Sequence, residues 1–493
     1  MTARTTGFTA RDMRWAALVV KCSGPAELAA LRRLRPPRLH DADYDACVTN
    51  PGKDAMATKR WRESGASERA ILVVVGLIAS IATIAWLALA TLGDAQDAGP
   101  ASPPSFADRT GSIFLPAPAN PTQPPTLERL SLPAVPGGQA IWGATGRDRE
   151  GGIWFGVSVS GSRERSAHLL RYEPATRSWS NQGNAIDQLR RSGLYRNGMG
   201  QVKIHSKIVT ADDGWLYFAS SDEDGENADG QIPPRWGGHL WRMRSADDRW
   251  QHVLAVPEGL VAAGAAGRYV YALGYWGHVL HQYDTLTGTS RRVTVGSVGG
   301  HVSRNFLSAV NGHAWVPRVQ RVADGTFSAE LVEFDGQLQE IARTPLEFYL
   351  GKGAPDSNHG ITGIATLRDG RLVFTTARGH LYLVEPNAQA PAKVEAVGWF
   401  HPDGERYAPS LFAYGGANLL AGVTQRGSRF DWVVYELITR TSMATTLDTS
   451  ALGGALLYGS VTRDDAGGSY LVGWAEASMG SPVPLALRLT PGP

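Results

Sequence analysis

Between residues 126 and 493 apolar and polar positions alternate in short runs, and one order of runs returns seven times. Each unit reads as an apolar strand, a Gly or Asp-Gly turn, a strand rich in aromatics, a second connection, and a strand often written Gly-His-Leu-x-x-Tyr. "REGGIWFGVS" with "AHLLRYEPATRSW" is the first copy, "ADDGWLYFAS" with "GGHLWRMRSADDRW" the second, and "AAGRYVYALG" with "GHVLHQYDTLTG" the third. Four looser copies follow. Turn glycines at Gly152, Gly214, Gly267, Gly312, Gly370, Gly416 and Gly468 mark a period of about 50 residues, which suits a four-stranded propeller blade. The pattern predicts an all-β, seven-bladed β-propeller.

A lone four-stranded sheet buries too little on either face, whereas sheets packed radially bury both. The last copy ends after its third strand, so its outer strand must come from elsewhere. "TLERLSL", Thr126 to Leu132, precedes the first blade without a partner and is expected to complete blade seven and close the ring. His168, His239, His278 and His380 share one place at the start of the third strand, so each reads as part of the repeat.

Upstream the pattern changes. From Ala70 to Leu92 the chain runs "AILVVVGLIASIATIAWLALATL" without a charge, and about 20 apolar residues at 1.5 Å rise span a bilayer core. Lys59, Arg60, Arg62 and Arg69 precede this stretch, and Asp94 and Asp97 follow it. The positive-inside rule then sets the N-terminus in the cytoplasm and the propeller on the extracytoplasmic side, periplasmic or cell-surface. The small-x-small run Ala88 to Ala90 keeps a cleaved signal peptide as the alternative, against an apolar core longer than the usual roughly 7 to 15 residues. Either way the rest is exported. The expected organisation is a cytoplasmic tail over 1–69, a transmembrane helix over 70–92, a Pro/Ala-rich linker over 93–125, and the propeller over 126–493. Met56 opens a natural-looking n-region, which leaves the true start codon open.

Composition narrows the chemistry. The net charge is +2 and lysine is very sparse beyond Ala101, so no basic field exists to hold nucleic acid. Both cysteines, Cys22 and Cys47, precede the apolar stretch, so the propeller has no disulfide, Cys zinc cluster or thiol nucleophile. No metal site is predicted and no cofactor is named by any motif. Gly-x-Ser-x-Gly, His-Glu-x-x-His and Walker signatures are lacking.

Candidate residues gather on the face shared by the inter-blade connections and the second-to-third-strand loops, where loops vary over a rigid scaffold. His205 opens an innermost strand and is expected at the channel mouth on that face. Trp142, Glu258, Ser303 with Arg304, His359, Arg406 with Tyr407, and Tyr458 hold comparable places, giving a polar and aromatic ring. Blade two has the longest second-to-third connection, with Asp222, Glu223, Asp224, Glu226 and Asp229. It reads as a solvated loop or, from its Asp-x-Asp-Gly start, as a calcium loop without full EF-hand spacing. Trp236 follows in that loop, and Tyr275 and Trp276 form a hairpin tip in blade three. Tryptophans beside His, Arg and carboxylates suit a sugar ring. The competing reading packs Tyr275 and Trp276 under the blade-two loop and makes His205 a satisfied polar group.

The segments "HSKIV", "DGWLYF", "GGHLWR" and "YWGHVLHQYDTLTG" resemble those of bacterial sugar-acting propellers, particularly seven-bladed polysaccharide lyases of the ulvan-lyase kind. The resemblance covers mainly blades two and three. It implies His205 as base or uronate contact, Tyr275 as proton donor, Arg291 as carboxylate clamp with Arg292 indistinguishable beside it, and His239 as a second histidine. β-Elimination beside a uronate needs such roles. The resulting expectation is a membrane-anchored propeller with a carbohydrate-binding face, acting as a lyase on uronate-containing polysaccharide. The alternative is a non-catalytic scaffold that recruits envelope proteins.

Overall fold

The computed structural model describes residues 115–493 except 228–231, 246, 248, 276, 299, 351–359, 415–417, 451, 453, 460–461, 477–480 and 493. The expected tail, the apolar stretch 70–92 and the first part of the linker lie outside these residues, as do Asp229, Trp276, His359 and Gly416.

Strand β1 (Thr126–Arg129) comes first and belongs to the last blade. Blade one holds β2 (Gly138–Ala140), β3 (Thr145–Arg147), β4 (Ile153–Val159), β5 (His168–Glu173) and β6 (Ser178–Asn184), followed by helix α1 (Ala185–Arg191). Blade two holds β7 (Val209–Thr210), β8 (Leu216–Ser221), β9 (Gly238–Met243) and β10 (Gln251–Val256). Blade three holds β11 (Leu260–Ala266), β12 (Tyr269–Gly274), β13 (Val279–Asp284) and β14 (Ser290–Thr294). Blade four holds β15 (Leu307–Ser308), β16 (Ala314–Arg321), β17 (Phe327–Phe334) and β18 (Glu340–Pro345). Blade five holds β19 (Ile361–Thr366), β20 (Leu372–Thr376), β21 (His380–Glu385) and β22 (Lys393–Trp399). Blade six holds β23 (Phe412–Tyr414), β24 (Leu419–Arg426), β25 (Arg429–Glu436) and β26 (Thr441–Thr446). Blade seven holds β27 (Ala455–Leu457), β28 (Ser469–Glu476) and β29 (Pro482–Thr490). All strand pairs within the sheets are antiparallel, and the described residues form seven sheets, as the repeat predicts.

Ring closure takes the expected form. β1 pairs with β29 from Thr126 opposite Thr490 to Arg129 opposite Leu487, so blade seven has strands from both ends of the propeller. The chain is fastened earlier than its Pro-rich pattern suggests. The Pro121 carbonyl accepts from Trp432 Nε1, the Thr122 carbonyl from Thr445 Oγ1, and Ala117 packs on the blade six–seven core. Proline lacks a donor but keeps its carbonyl, so such a segment can be pinned without joining a ladder.

The turns joining first and second strands explain the periodic Asp and Gly. In blade one the Asp148 carboxylate accepts from the Gly152 N–H, Trp154 Nε1 and Arg171 Nε; in blade seven Asp464 accepts from the Gly468 N–H, the Tyr470 hydroxyl and Arg488 Nε. The paired glycines there have separate tasks. Gly151 and Gly467 have φ of +96° and +89°, which only glycine adopts without strain. Gly152 has no room for a Cβ, which would stand 2.3 Å from Arg171.

Large aromatic and aliphatic side chains fill the spaces between blades. One cluster joins blades seven, one and two through Trp154, Phe155, Phe218, Trp241 and Tyr470, and further clusters fill the remaining inter-blade spaces. Each sheet thus buries both faces, and the axial ends of the innermost strands are left to chemistry.

Candidate functional site at the channel mouth

The innermost strand of blade two is regular only at Val209 and Thr210. Before it, Lys203 is held to Ser221 by a pair of backbone hydrogen bonds, and residues alternate in burial. Ile204, Ser206 and Ile208 are buried, while Lys203, His205 and Lys207 keep partial exposure. This is the period-2 alternation of extended chain, with one side in the blade core and the other toward the axis.

His205 Nδ1 lies 2.8 Å from the Val261 carbonyl of blade three. A carbonyl only accepts, so Nδ1 carries the proton. Burial, then the nearby Arg304 and Lys203 cations, hold the imidazole well below its usual value, so it is neutral near pH 7 with Nε2 as an acceptor. The Trp142 ring of blade one lies parallel to it at 6.4 Å and meets the Tyr458 ring of blade seven edge-on at 4.5 Å. Lys203 Nζ sits 5.3 Å from the Trp142 ring and also pairs with Glu223.

Arg304 closes this arrangement. It leaves blade four and crosses the channel, with its guanidinium carbon 3.8 Å from the Tyr458 ring centroid on blade seven. The Tyr407 hydroxyl of blade six is close enough to feel that charge, although burial outweighs it and raises the phenol above its usual range. The base of Arg304 is rigid. Ser303 N–H donates to His278 Nε2, Ser303 Oγ donates to the Asn305 carbonyl and accepts from Ile361 N–H, and Asn305 Nδ2 bonds the Ile361 and Thr362 carbonyls. His278 Nδ1 donates to the Pro317 carbonyl. This histidine therefore anchors the segment that launches Arg304, a task its counterparts do not share: His168 meets Asn181 and His239 meets His252.

Together Trp142, His205, Lys207, Arg304, Thr362 and Tyr458 line an axial cavity of about 300 Å³ including its mouth. Its enclosed part holds about one water. Gly459 belongs to the wall because a Cβ there would stand 1.8 Å from the Pro409 carbonyl. Lys207 is surrounded by protein yet partly accessible, as a side chain in a wet channel should be, and burial lowers its ammonium to about 8. Sequence reasoning passed over Lys207. Its signal was present: only Lys203, Lys207, Lys352 and Lys393 follow Ala101, and two of them flank His205 at alternate positions.

The other expected site residues lie elsewhere. Tyr275 is buried beneath the blade-two loop, its hydroxyl donating to Glu226 Oε1 at 3.1 Å, and burial with the nearby carboxylates pushes the phenol well up. Arg291 sits on β14, the outermost strand of blade three, opposite Gln282. His239 lies 3.0 Å from His252 of β10, and burial then that neighbour depress it to about 3. Trp236 packs on the core between blades one and two, its backbone N–H donating to the buried Asp222 carboxylate. Arg406 is engaged with the Glu405 carbonyl and Asp403, while Glu258 faces His281 and Arg292. The acidic loop binds itself down through Glu223 to Lys203, Asp224 to Arg235 and Glu226 to Tyr275. Among the described residues no three metal-ligating side chains gather.

No protein-family model and no curated protein matches this chain. Among solved structures it is similar to the β-propeller domain of Myceliophteria thermophila Cps50 (Swd1), with 11% identity over 73% of this chain and 99% of that one and a TM-score of 0.39. YCF48 bound to D1 peptide is similar at 11% identity, covering 77% and 98%, with a TM-score of 0.41. The WD40 propeller domain of Doa1 is similar at 10% identity, covering 74% and 97%, with a TM-score of 0.39. Such values carry no functional argument. The propeller assignment rests on the seven antiparallel sheets and on the strand that closes them.

Proposed function

We propose that the chain is a non-catalytic binding propeller that receives an acidic glycan on its entrance face, held outside the cell membrane by the apolar stretch 70–92. Arg304, stretched across the mouth onto Tyr458, carries this reading. It makes the centre of the face cationic and aromatic, supported by side chains from several blades. Ring faces beside cations suit a sugar that bears negative charge. The membrane part is supported by the uncharged apolar length and the basic-before, acidic-after flanks.

Binding is favoured over cutting by the spread of the lyase set. Elimination needs clamp, base and acid around one sugar ring. Here His205 is at the mouth, Tyr275 lies under a loop, His239 sits in a histidine pair, and Arg291 is on an outermost strand, three strand spacings or about 14 Å from the inner one. The test is retention of the full-length, detergent-solubilised chain on immobilised acidic and neutral polysaccharides, with unsaturated-uronate absorbance recorded alongside. Acidic glycans should retain it, Arg304→Ala should weaken retention about tenfold, and Arg291→Ala should leave it unchanged. Absorbance that rises with the wild type and vanishes in His205→Ala, or equal retention by neutral glycans, would overturn the reading.

A further inference from the structure

We propose that the axial cavity beneath Arg304 is a binding site for a single carboxylate group, with Lys207 as its principal counter-charge. The inference deepens the proposed binding role and rests on it only for which molecule carries the carboxylate.

Three observations converge. First, among the described residues the cavity wall has the Lys207 and Arg304 cations and no Asp or Glu. Among the described residues Lys207 makes no ion pair or hydrogen bond, and burial alone perturbs it. A cation enclosed by protein without a counter-charge is costly, and such groups are ordinarily paired. Lys203, two repeats of the alternation away, already has Glu223.

Second, among the described residues Trp142 Nε1 is buried without an acceptor, although its ring forms part of the same wall. An indole N–H can only donate. An oxygen-bearing anion in the cavity would meet the Lys207 ammonium directly, and a small turn of the Trp142 ring would bring its N–H to the same anion.

Third, size limits the anion to one that enters by a single atom. The enclosed part has room for about one water, too little for a tetrahedral phosphate or sulfate with its full set of oxygens. A carboxylate is flat and narrow, and can offer one oxygen inward while the other meets a guanidinium at the mouth. The remainder of the ligand would lie outward on the face. His205 Nε2 is left as an acceptor for a hydroxyl or water beside it.

The experiment uses the full-length solubilised chain, labelled with ¹⁵N in its indoles, with the Trp142 resonance assigned by its loss in Trp142→Phe. Acetate, glucuronate and an end-blocked aspartyl dipeptide are titrated at constant ionic strength, with chloride and sulfate in parallel. A saturable shift of the Trp142 indole with carboxylates, weakened at least tenfold in Lys207→Met and partly restored in Lys207→Arg, is the expected result. The relative strengths of the three carboxylates separate a sugar acid from a protein side chain as the source. No shift, a shift untouched by Lys207→Met, or an equal response to chloride or sulfate would overturn the proposal. Circular dichroism of Lys207→Met guards against misfolding as the cause of a loss. Acetate binding without glycan retention would remove only the proposed function, and glycan retention without acetate binding would remove only this site.

Discussion

Blades two and three have the same four-strand plan, yet their innermost strands differ in a way that locates the chemistry. β11 pairs over Leu260–Ala266 and contains only Leu, Val, Ala and Gly. β7 is two residues long, and the segment ahead of it carries Lys203, His205 and Lys207. The inner strands of blades four, six and seven are likewise short, at two or three residues, and the segments beside them supply Arg304, Tyr407 and Tyr458. A residue inside a ladder has its side-chain direction fixed by the pleat. One outside it can be turned toward the axis. Truncating the inner strand costs ladder hydrogen bonds and gains freedom to aim side chains across the channel, and long-paired blade three shows what the fold does where no such aim is needed.

Acid should have the largest effect and should act on both blades. His239 and His278 are depressed to about 3 and about 4, and burial holds His205 and His301 well below the ordinary 6.5. The unfolded chain takes up these protons first, so stability is present above pH 6.5 and is lost as pH falls toward the folded values. Each histidine contributes a slope of up to about 1.4 kcal/mol per pH unit below that point. Urea midpoints measured from pH 7.5 to 5 should fall steeply, and His278→Gln should flatten the slope by about one histidine. A flat profile would show that these imidazoles are protonated in the folded state.

Much of this was legible in the sequence. Turn glycines and aromatic strands gave the blade count, and the partnerless Thr126–Leu132 gave the closure, because repeat spacing and an unpaired strand are local signals. The ring of Trp142, His205, Arg304, Tyr407 and Tyr458 could be placed by homologous position within each repeat. What could not be read was depth and reach. The sequence left two readings of Tyr275, proton donor or packing under the blade-two loop, and only the fold chooses the second, while the span of Arg304 from blade four to blade seven depends on ring curvature. Lys207 was missed because a lysine in a strand reads as solvated surface, whereas here its surroundings are the opposite walls of a channel.

Next in size is a contrast between the inner strands themselves. Ala262 of β11 is 2% exposed and packs between blades three and four. A lysine there would bury an unpaired charge among well-packed side chains, and Ala262→Lys should cost about 3 kcal/mol or more. Lys207→Met should act in the opposite direction. With its ammonium near 8 when folded against 10.5 when free, the charged form opposes folding below pH 8, and the penalty fades as pH rises from 8 to 10.5. Removing it should stabilise the protein by roughly 1–3 kcal/mol at pH 7, discounted for water in the channel. Denaturant curves at pH 7 and pH 10 test both. A destabilised Lys207→Met at pH 7 would mean that the lysine has a structural partner and that the two strands differ less than their sequences imply.

The smallest expected effect sharpens the same contrast. Arg304 stacks on Tyr458 at a partly open mouth, where a cation–π contact is worth about 0.5–2 kcal/mol. Arg304→Met keeps the length of the stem and its packing, so its stability loss should be about 1 kcal/mol, less than the loss of glycan retention expected for Arg304→Ala. The effect should also be one-sided. Removing the guanidinium takes away a cation that depresses His205, so the imidazole should rise toward its ordinary value, visible by NMR titration as an upward move of the His205 midpoint, while His278, held by Pro317 and Ser303, stays in place. If both histidines moved together, Arg304 would be part of the joint between blades three and four. If His205 alone moved, the mouth is an electrostatic unit mounted on a frame that does not depend on it, as short inner strands set into a rigid ring would allow.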